Sequence, residues 1–432
     1  MTLGEAVSLA IQRSPQLDRL RHETGAAAQN VVAKRSTTLP NLSSKVQFYE
    51  VLGSPVTPFS PFGVFEPGTG SVGANGFTPT YVHWGPLGMQ SVDLTFPVFQ
   101  YGSIMGLNDA PVVSGAKAQL TKQRLELQLA EQKVVLDVTT AYLSAIWYRD
   151  KERIEEQLTA LEERKVAGIQ AQASQGSRPR EDLELAKIDL DGMQAALTAT
   201  RGSTETAMVE LSDLTGADTT AISSLDPAPP VATKLPRLRE LLDEVLPSNP
   251  AFYAQEAQIE VAHQRLRATS ADRFPTVSLN TSFQAAEVFD NGVSHRFNPT
   301  AFLSYLEVKI PIFDFGGRRA ENSISSELYQ SEAARLRELK LELRQSIAQT
   351  YGEINQIDEK LADSVAVHEK AKEKVAAASS RGTLKVTDVL VLVDAQREEL
   401  TAELAIDNEK FLRGLRFAQI QNLSGGAWQW MK

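Results

Sequence analysis

A chain of 432 residues with 42% apolar and 23% charged side chains should fold, as two or three ordinary domains or as one large repeated one. A net charge of −10 leaves no basic block to meet phosphates, which argues against a nucleic-acid partner. The absence of cysteine excludes disulfides, thiolate metal sites, cysteine nucleophiles and a lipid-bearing N-terminal cysteine.

The chain enters an amphipathic helix at Met1-Thr2-Leu3 with no basic-then-apolar leader. For an exported protein this implies that the signal peptide is absent from the numbered chain. Ser14-Pro15 opens a second helix that closes at Leu39-Pro40. In the strand expected over about 40–52, Leu42, Ser44, Val46 and Phe48 alternate with Ser43, Lys45 and Gln47. A loop rich in Pro, Gly and Phe runs from Leu52 to Pro86. The return strand, about 86–100, sets Val92, Leu94 and Phe96 against Asp93 and Thr95 and ends in Phe96-Pro97-Val98-Phe99 with Gly102. A helical hairpin follows over about 103–215, free of proline from about Ser114 to Ala173, turning at Gln175-Gly176-Ser177 and returning from about Pro179 to Thr215.

After a Pro-rich linker at 226–236, the same plan is written again. Asn249-Pro250 answers Ser14-Pro15, and Phe274-Pro275 answers Leu39-Pro40. Ile310-Pro311-Ile312-Phe313 with Gly316 answers the first Pro-x-Phe joint. Gly382 followed by Asp388-Val389 answers Gly176 followed by Asp182-Leu183. The chain therefore divides into a first repeat (1–225), the linker and a second repeat (237–432), with second-half strands at about 275–287 and 300–313 and a hairpin at about 317–424. Each half reads helix, helix, strand, strand, long helix, helix. The second long helix carries Leu336, Leu339, Leu343, Ile347 and Ile354 at coiled-coil spacing. At 1.5 Å per residue, roughly 60 residues span ~90 Å, close to the sum of the two shorter helices of the same half.

No apolar run approaches the roughly 20 residues of a membrane helix, so the remaining membrane option is a closed β-barrel. Each expected strand has an apolar and a polar face and about the length needed to cross a bilayer. Four strands cannot close a barrel, since about eight are the fewest known, so closure calls for several chains. An elongated soluble coiled-coil scaffold is the rival reading, and it leaves the four strands unexplained.

Catalytic constellations are missing from the pattern. His22, His83, His263, His295 and His368 lack ligand-like spacing, and Gly68-Thr69-Gly70 lacks the strand-then-helix context of a phosphate cradle. Glu155-Glu156 and Glu162-Glu163 sit on polar helix faces, where solvated carboxylates are expected. Trp428 and Trp430 close the chain without a readable role. No enzyme activity, metal or cofactor is expected.

In order and duplication, these motifs resemble the TolC family of outer-membrane efflux proteins over nearly the whole chain. The likeness rests on Leu3 to Val7, the Ser/Asn-Pro helix starts, Leu39-Pro40 and Phe274-Pro275, the Pro-x-Phe joints, the Gly-x5-Asp-Leu/Val tips and Leu214-Thr215-Gly216. It implies a homotrimer with one twelve-stranded membrane β-barrel over a long α-helical coiled-coil barrel in the periplasm, in the outer membrane of a Gram-negative bacterium. It also implies a passive duct of a tripartite efflux or type I secretion system, partnered by a periplasmic adaptor (membrane-fusion) protein, an inner-membrane transporter and outer-membrane lipid. Mapped onto this chain, Gly176, Ser177, Arg178, Gly382 and Thr383 would contact the adaptor, and Asp388 and Asp182 would form an acidic ring at the periplasmic entrance. The pattern departs from other members at Val391, where a second acidic ring can occur, and at Ser379 and Leu384, where an aromatic and an arginine can latch the tip.

Overall fold

The computed structural model describes residues 1–49, 87–218, 225–227, 235–288, 300–380 and 386–425. The loop from Leu52 to Pro86, Gly68-Thr69-Gly70, His83, His295, Gly382, Thr383, Leu384, Trp428 and Trp430 lie outside the described residues, as does most of the 226–236 linker. The chain divides into two compact units. One comprises Met1–Ala27, Gln119–Ile259 and Gln330–Lys432, and the other Ala28–Ala118 and Glu260–Tyr329.

In chain order the first half runs α1 (Leu3–Arg13), α2 (Pro15–Ser36), β1 (Asn41–Tyr49), β2 (Leu87–Gln100), β3 (Ser103–Ile104), α3 (Pro111–Ser174) and α4 (Arg180–Thr215). The second runs α5 (Leu238–Ser248), α6 (Pro250–Ala271), β4 (Thr276–Val288), β5 (Thr300–Lys309), α7 (Gly317–Ser379) and α8 (Val386–Leu423). The long helices α3 and α7 hold 64 and 63 residues. Proline occurs in them only at the first residue of α3, where its missing N–H is harmless. No helix among the described residues is long and apolar enough to cross a membrane.

The first unit packs around two clusters that repeat each other. Leu3, Ala6 and Ala10 of α1 meet Leu17, Val138, Tyr142 and Leu211. Leu241 and Val245 of α5, which stand where Ala6 and Ala10 stand in the first half, meet Ile347, Ile354, Phe417 and Ile420. A Glu three residues into the N-terminus caps both helices: Thr2 N–H donates to Glu5 Oε2 at 2.8 Å, and Arg237 N–H to Glu240 Oε2 at 3.3 Å. Tyr142 is fully buried, and its hydroxyl lies 3.0 Å from the carbonyls of both Met1 and Asp226. One phenol thereby ties the start of the chain to the start of the linker.

The second unit holds one antiparallel sheet in the order β1-β2-β4-β5, with β3 paired on the end of β2. The two hairpins agree to the residue. Leu42 opposes Leu94 in β1·β2, and their counterparts Val277 and Val308 oppose each other in β4·β5. Val46↔Gln90 is likewise matched by Thr281↔Ser304. Both return strands end in an aromatic-Gly pair of left-handed backbone: Tyr101 and Gly102 at φ 53° and 76°, Phe315 and Gly316 at 53° and 90°. In the first half this pair closes a tight turn, since Gln100 pairs with Ser103 to form β3. Strand β5 stops at Lys309, two residues before Pro311, which has no N–H for the ladder.

Burial raises the pKa of Tyr142 above its ordinary 10.0, with the Asp226 carboxylate adding to the effect. The folded state therefore keeps a proton that the unfolded chain gives up near pH 10. Stability from this group is complete below pH 10 and falls as pH rises through the higher folded value. Tyr142→Phe should cost about 0.5–1.5 kcal/mol at neutral pH through the lost hydrogen bond. It should also shallow the alkaline decline of the thermal midpoint between pH 9 and 11. A decline parallel to that of the unaltered protein would contradict this role.

Candidate functional site

The alternation read from the strands becomes two faces once the register is known. Leu42, Val46, Val92, Leu94, Phe283 and Leu306 share one face and are exposed. Leaving such side chains in water forgoes ~1.5–3 kcal/mol each relative to burial, and a continuous apolar patch of this kind marks a contact with lipid or protein. The opposite face carries Ser43, Lys45, Asp93, Asn280, Ser282 and Glu307, interrupted by Leu303 and Tyr305. Its polar groups are joined across the junction of the two halves. Ser282 Oγ donates to Asp93 Oδ1 at 2.5 Å, and Ser91 Oγ to Asp93 Oδ2 at 2.8 Å. Asn280 Nδ2 donates to Glu307 Oε2 at 3.0 Å.

At the first hairpin tip, Gly176 has φ +70° and ends α3 in a Schellman motif. Ser177 N–H donates to the Gln172 carbonyl at 3.0 Å, and Gly176 N–H to that of Ala173 at 3.1 Å. The left-handed backbone alone accounts for glycine, since a Cβ there would meet nothing within 4 Å. Ser177 Oγ also donates to Gln172 O at 2.8 Å. Asp182 lies in the first turn of α4, where the helix dipole favours an anion. Arg178 Nε donates to Asp182 Oδ2 at 3.1 Å, and its Nη1 lies 3.5 Å from Gln172 Oε1. The structure thus brings Gly176, Ser177, Arg178 and Asp182 together in one tip. Asp388 is the third residue of α8, with its side chain outside the described set, as are Gly382 and Thr383.

One expectation for the carboxylates is corrected. Glu162 is not a solvated surface residue: its side chain is 0% exposed. It lies 3.5 Å from Lys165 Nζ and 3.6 Å from Arg397 Nη1, while Lys165 reaches Asp394 at 3.3 Å. Ile169 of α3, Ala186 of α4 and Leu390 of α8 form a small core just beyond. A Cβ on Gly168 would come within 3.0 Å of Leu390 Cδ2, so α3 and α8 approach closely there. The polar context of Glu162-Glu163 hides this seam, because burial depends on α8, far away in sequence. Gly168 was the available signal, a glycine deep inside a long helix. No group of three or more His, Asp or Glu able to hold a metal occurs among the described residues.

A family model described as outer membrane efflux protein matches residues 241–426. Among solved structures, the outer-membrane channel OprN superposes with TM-score 0.77 at 18% identity, covering 100% of this chain and 91% of its own. The outer membrane protein VceC of Vibrio cholerae gives 0.76 at 17%, covering 99% and 97%. CusC, whose structures concern transmembrane channel formation, gives 0.75 at 14%, covering 98% and 92%. No curated protein matches in sequence. The fold is thus that of outer-membrane channels over almost the entire chain. Residues 241–426 also carry the sequence pattern of outer membrane efflux proteins.

The face assignment has a direct check. A Leu279→Cys side chain should react with lipid-soluble thiol reagents in membranes, and a Ser43→Cys side chain with water-soluble ones. Equal labelling of both by either reagent would refute the two-faced sheet.

Proposed function

We propose that the protein is a passive exit duct in the outer membrane of a Gram-negative bacterium. Three copies share one twelve-stranded barrel, and their helices form a periplasmic tunnel that carries substrate to the exterior. An inner-membrane transporter supplies the energy, and an adaptor protein engages the tips around Gly176, Ser177, Arg178, Gly382 and Thr383. The chain itself needs no catalytic group and no cofactor. The observation that carries this reading is the sheet, with an exposed apolar face, a polar face, and four main strands where a barrel needs more. A soluble scaffold has no use for such a face. The fold shared with OprN and VceC, and the efflux-protein match at 241–426, support the same reading.

At the entrance, Asp388 is the principal charge. Asp182 shares its charge with Arg178 one turn earlier, whereas the position before Asp388 that corresponds to Arg178 is Leu384. A ring of three Asp388 carboxylates near the N-termini of α8 would attract cations and repel anions.

In mild detergent, the particle mass after subtraction of detergent should be three times 47.3 kDa. A monomer or dimer that stays in solution without detergent would overturn the shared barrel. In planar bilayers, Asp388→Ala should lower the cation-to-anion permeability ratio about twofold or more. An unchanged ratio would remove Asp388 from the conducting mouth.

A further inference from the structure

A hollow of about 680 Å³ opens in the first unit where α3, α4, α7 and α8 come together. Alanines leave room for it. Ala371 of α7 and Ala402 of α8 line it as buried residues, with Ala405 beside them, and methyl groups fill little of the space between helices. Leu158 of α3 and Met193 of α4 add to the apolar lining, and Val367 of α7 stands 57% exposed within it.

The charged lining is mostly cationic. Lys370, Lys374 and Arg397 share it with one carboxylate, Glu398, which Lys374 already holds at 2.5 Å. Arg397 is steadied from α3, since its Nη1 lies 3.6 Å from Oε2 of the buried Glu162. The rest of its guanidinium fork is left to meet a second anion. Lys370 makes no ion pair or hydrogen bond among the described residues. In a chain of net charge −10, apolar walls beside an unmatched ammonium group are a local reversal of sign.

We propose that this hollow binds an amphiphilic anion, a medium-length alkyl chain ending in a carboxylate or sulfate. The volume lies in the range of small-molecule sites, which are apolar with a few placed polar groups. The alkyl chain lies against the alanines, Leu158 and Met193, and the head group meets Lys370 and Arg397. An amphiphilic cation would bring like charge to Lys370, and a bare inorganic anion would leave the apolar walls uncovered. A partner helix fits less well, because the lining spans only Val367 to Lys374 on α7 and Arg397 to Ala405 on α8, ~12 Å at 1.5 Å per residue. An occupant that touches all four helices favours the arrangement in which they meet, so binding here bears on the hairpins that lead to the tips.

The test is equilibrium binding to the full-length protein in a non-ionic amphipol, where no free micelle competes for the probe. A dansyl-labelled fatty acid should bind saturably at one site per chain with blue-shifted emission. Decanoate should displace it, and decylamine should not. Lys370→Ala with Lys374→Ala, both exposed positions, should raise the dissociation constant about tenfold or more. Ala402→Phe, which fills the hollow, should abolish binding, and if that variant fails to fold the lysine pair still decides. Unchanged binding in the lysine variant, displacement by decylamine as strong as by decanoate, or no saturable binding would overturn the site. The last result would mean that a neighbouring helix covers the hollow. All the lining residues belong to one chain, so particle mass on the same sample reads the trimeric duct separately: a monomer that binds the probe would sink the duct and keep the site, and a trimer that binds none would do the reverse.

Discussion

Backbone hydrogen bonding at the sheet edges is the constraint on which the rest of the structure depends. Strand β5 has ten residues, and roughly half of its N–H and C=O groups point away from β4. In hydrocarbon, each unmatched group costs several kcal/mol. On the order of ten such groups would outweigh the 5–15 kcal/mol that typically holds a whole domain folded. One chain cannot enter a bilayer by itself. The outward apolar face adds to this, because in water it has nothing to cover it. In the duct proposed above, lipid on the face and further copies on the edges would satisfy both demands at once.

The helices obey a different rule. A helix of 63 or 64 residues persists only if nothing interrupts its hydrogen-bond ladder, and neither α3 nor α7 carries an internal proline. Its partners are then chosen by side chains. Along α3 and α8 the choice includes charge: buried Glu162 between Lys165 and Arg397, then Asp394 on Lys165. Bringing Glu162 out of water is costly. Lys165, on α3 itself, offsets part of that cost in any register, whereas Arg397 does so only when α3 and α8 stand as they do here. The cluster therefore specifies the seam more than it strengthens it.

Much of this was legible because duplication leaves punctuation. Proline and glycine marked helix starts, strand joints and tips, and alternation marked the strands, since these signals are local. Register was not legible, because Leu42↔Leu94 depends on a pairing that the loop between them does not encode in any simple pattern. Neither was β3, two residues long and formed by a turn in which Tyr101 takes the left-handed backbone usually reserved for glycine. The Arg178–Asp182 pair was within reach of sequence, lying four residues apart across the start of α4. Glu162 was not, because Arg397, which pairs with it, lies on α8 in the other half of the chain.

The two halves agree and differ in a pattern that follows from their tasks. In the proposed closed ring, junctions within a chain would alternate with junctions between chains, so both kinds of strand edge would have to fit the same kind of partner. Such a requirement would hold the four main strands to one register. It does not reach the joints or the tips. Pro97 and Gly176 stand 79 residues apart and Pro311 and Gly382 only 71, and the extra residues of the first half include the fold-back of β3 over Phe99. At the tips, arginine stands four residues before one aspartate and leucine before the other. A ring of three copies would then present six tips of two alternating kinds. The Arg178–Asp182 pair at one kind of tip would contribute little field, and the other kind has leucine where that arginine stands. An adaptor that reads charge would meet threefold rather than sixfold symmetry, with its two kinds of docking position set by a single arginine.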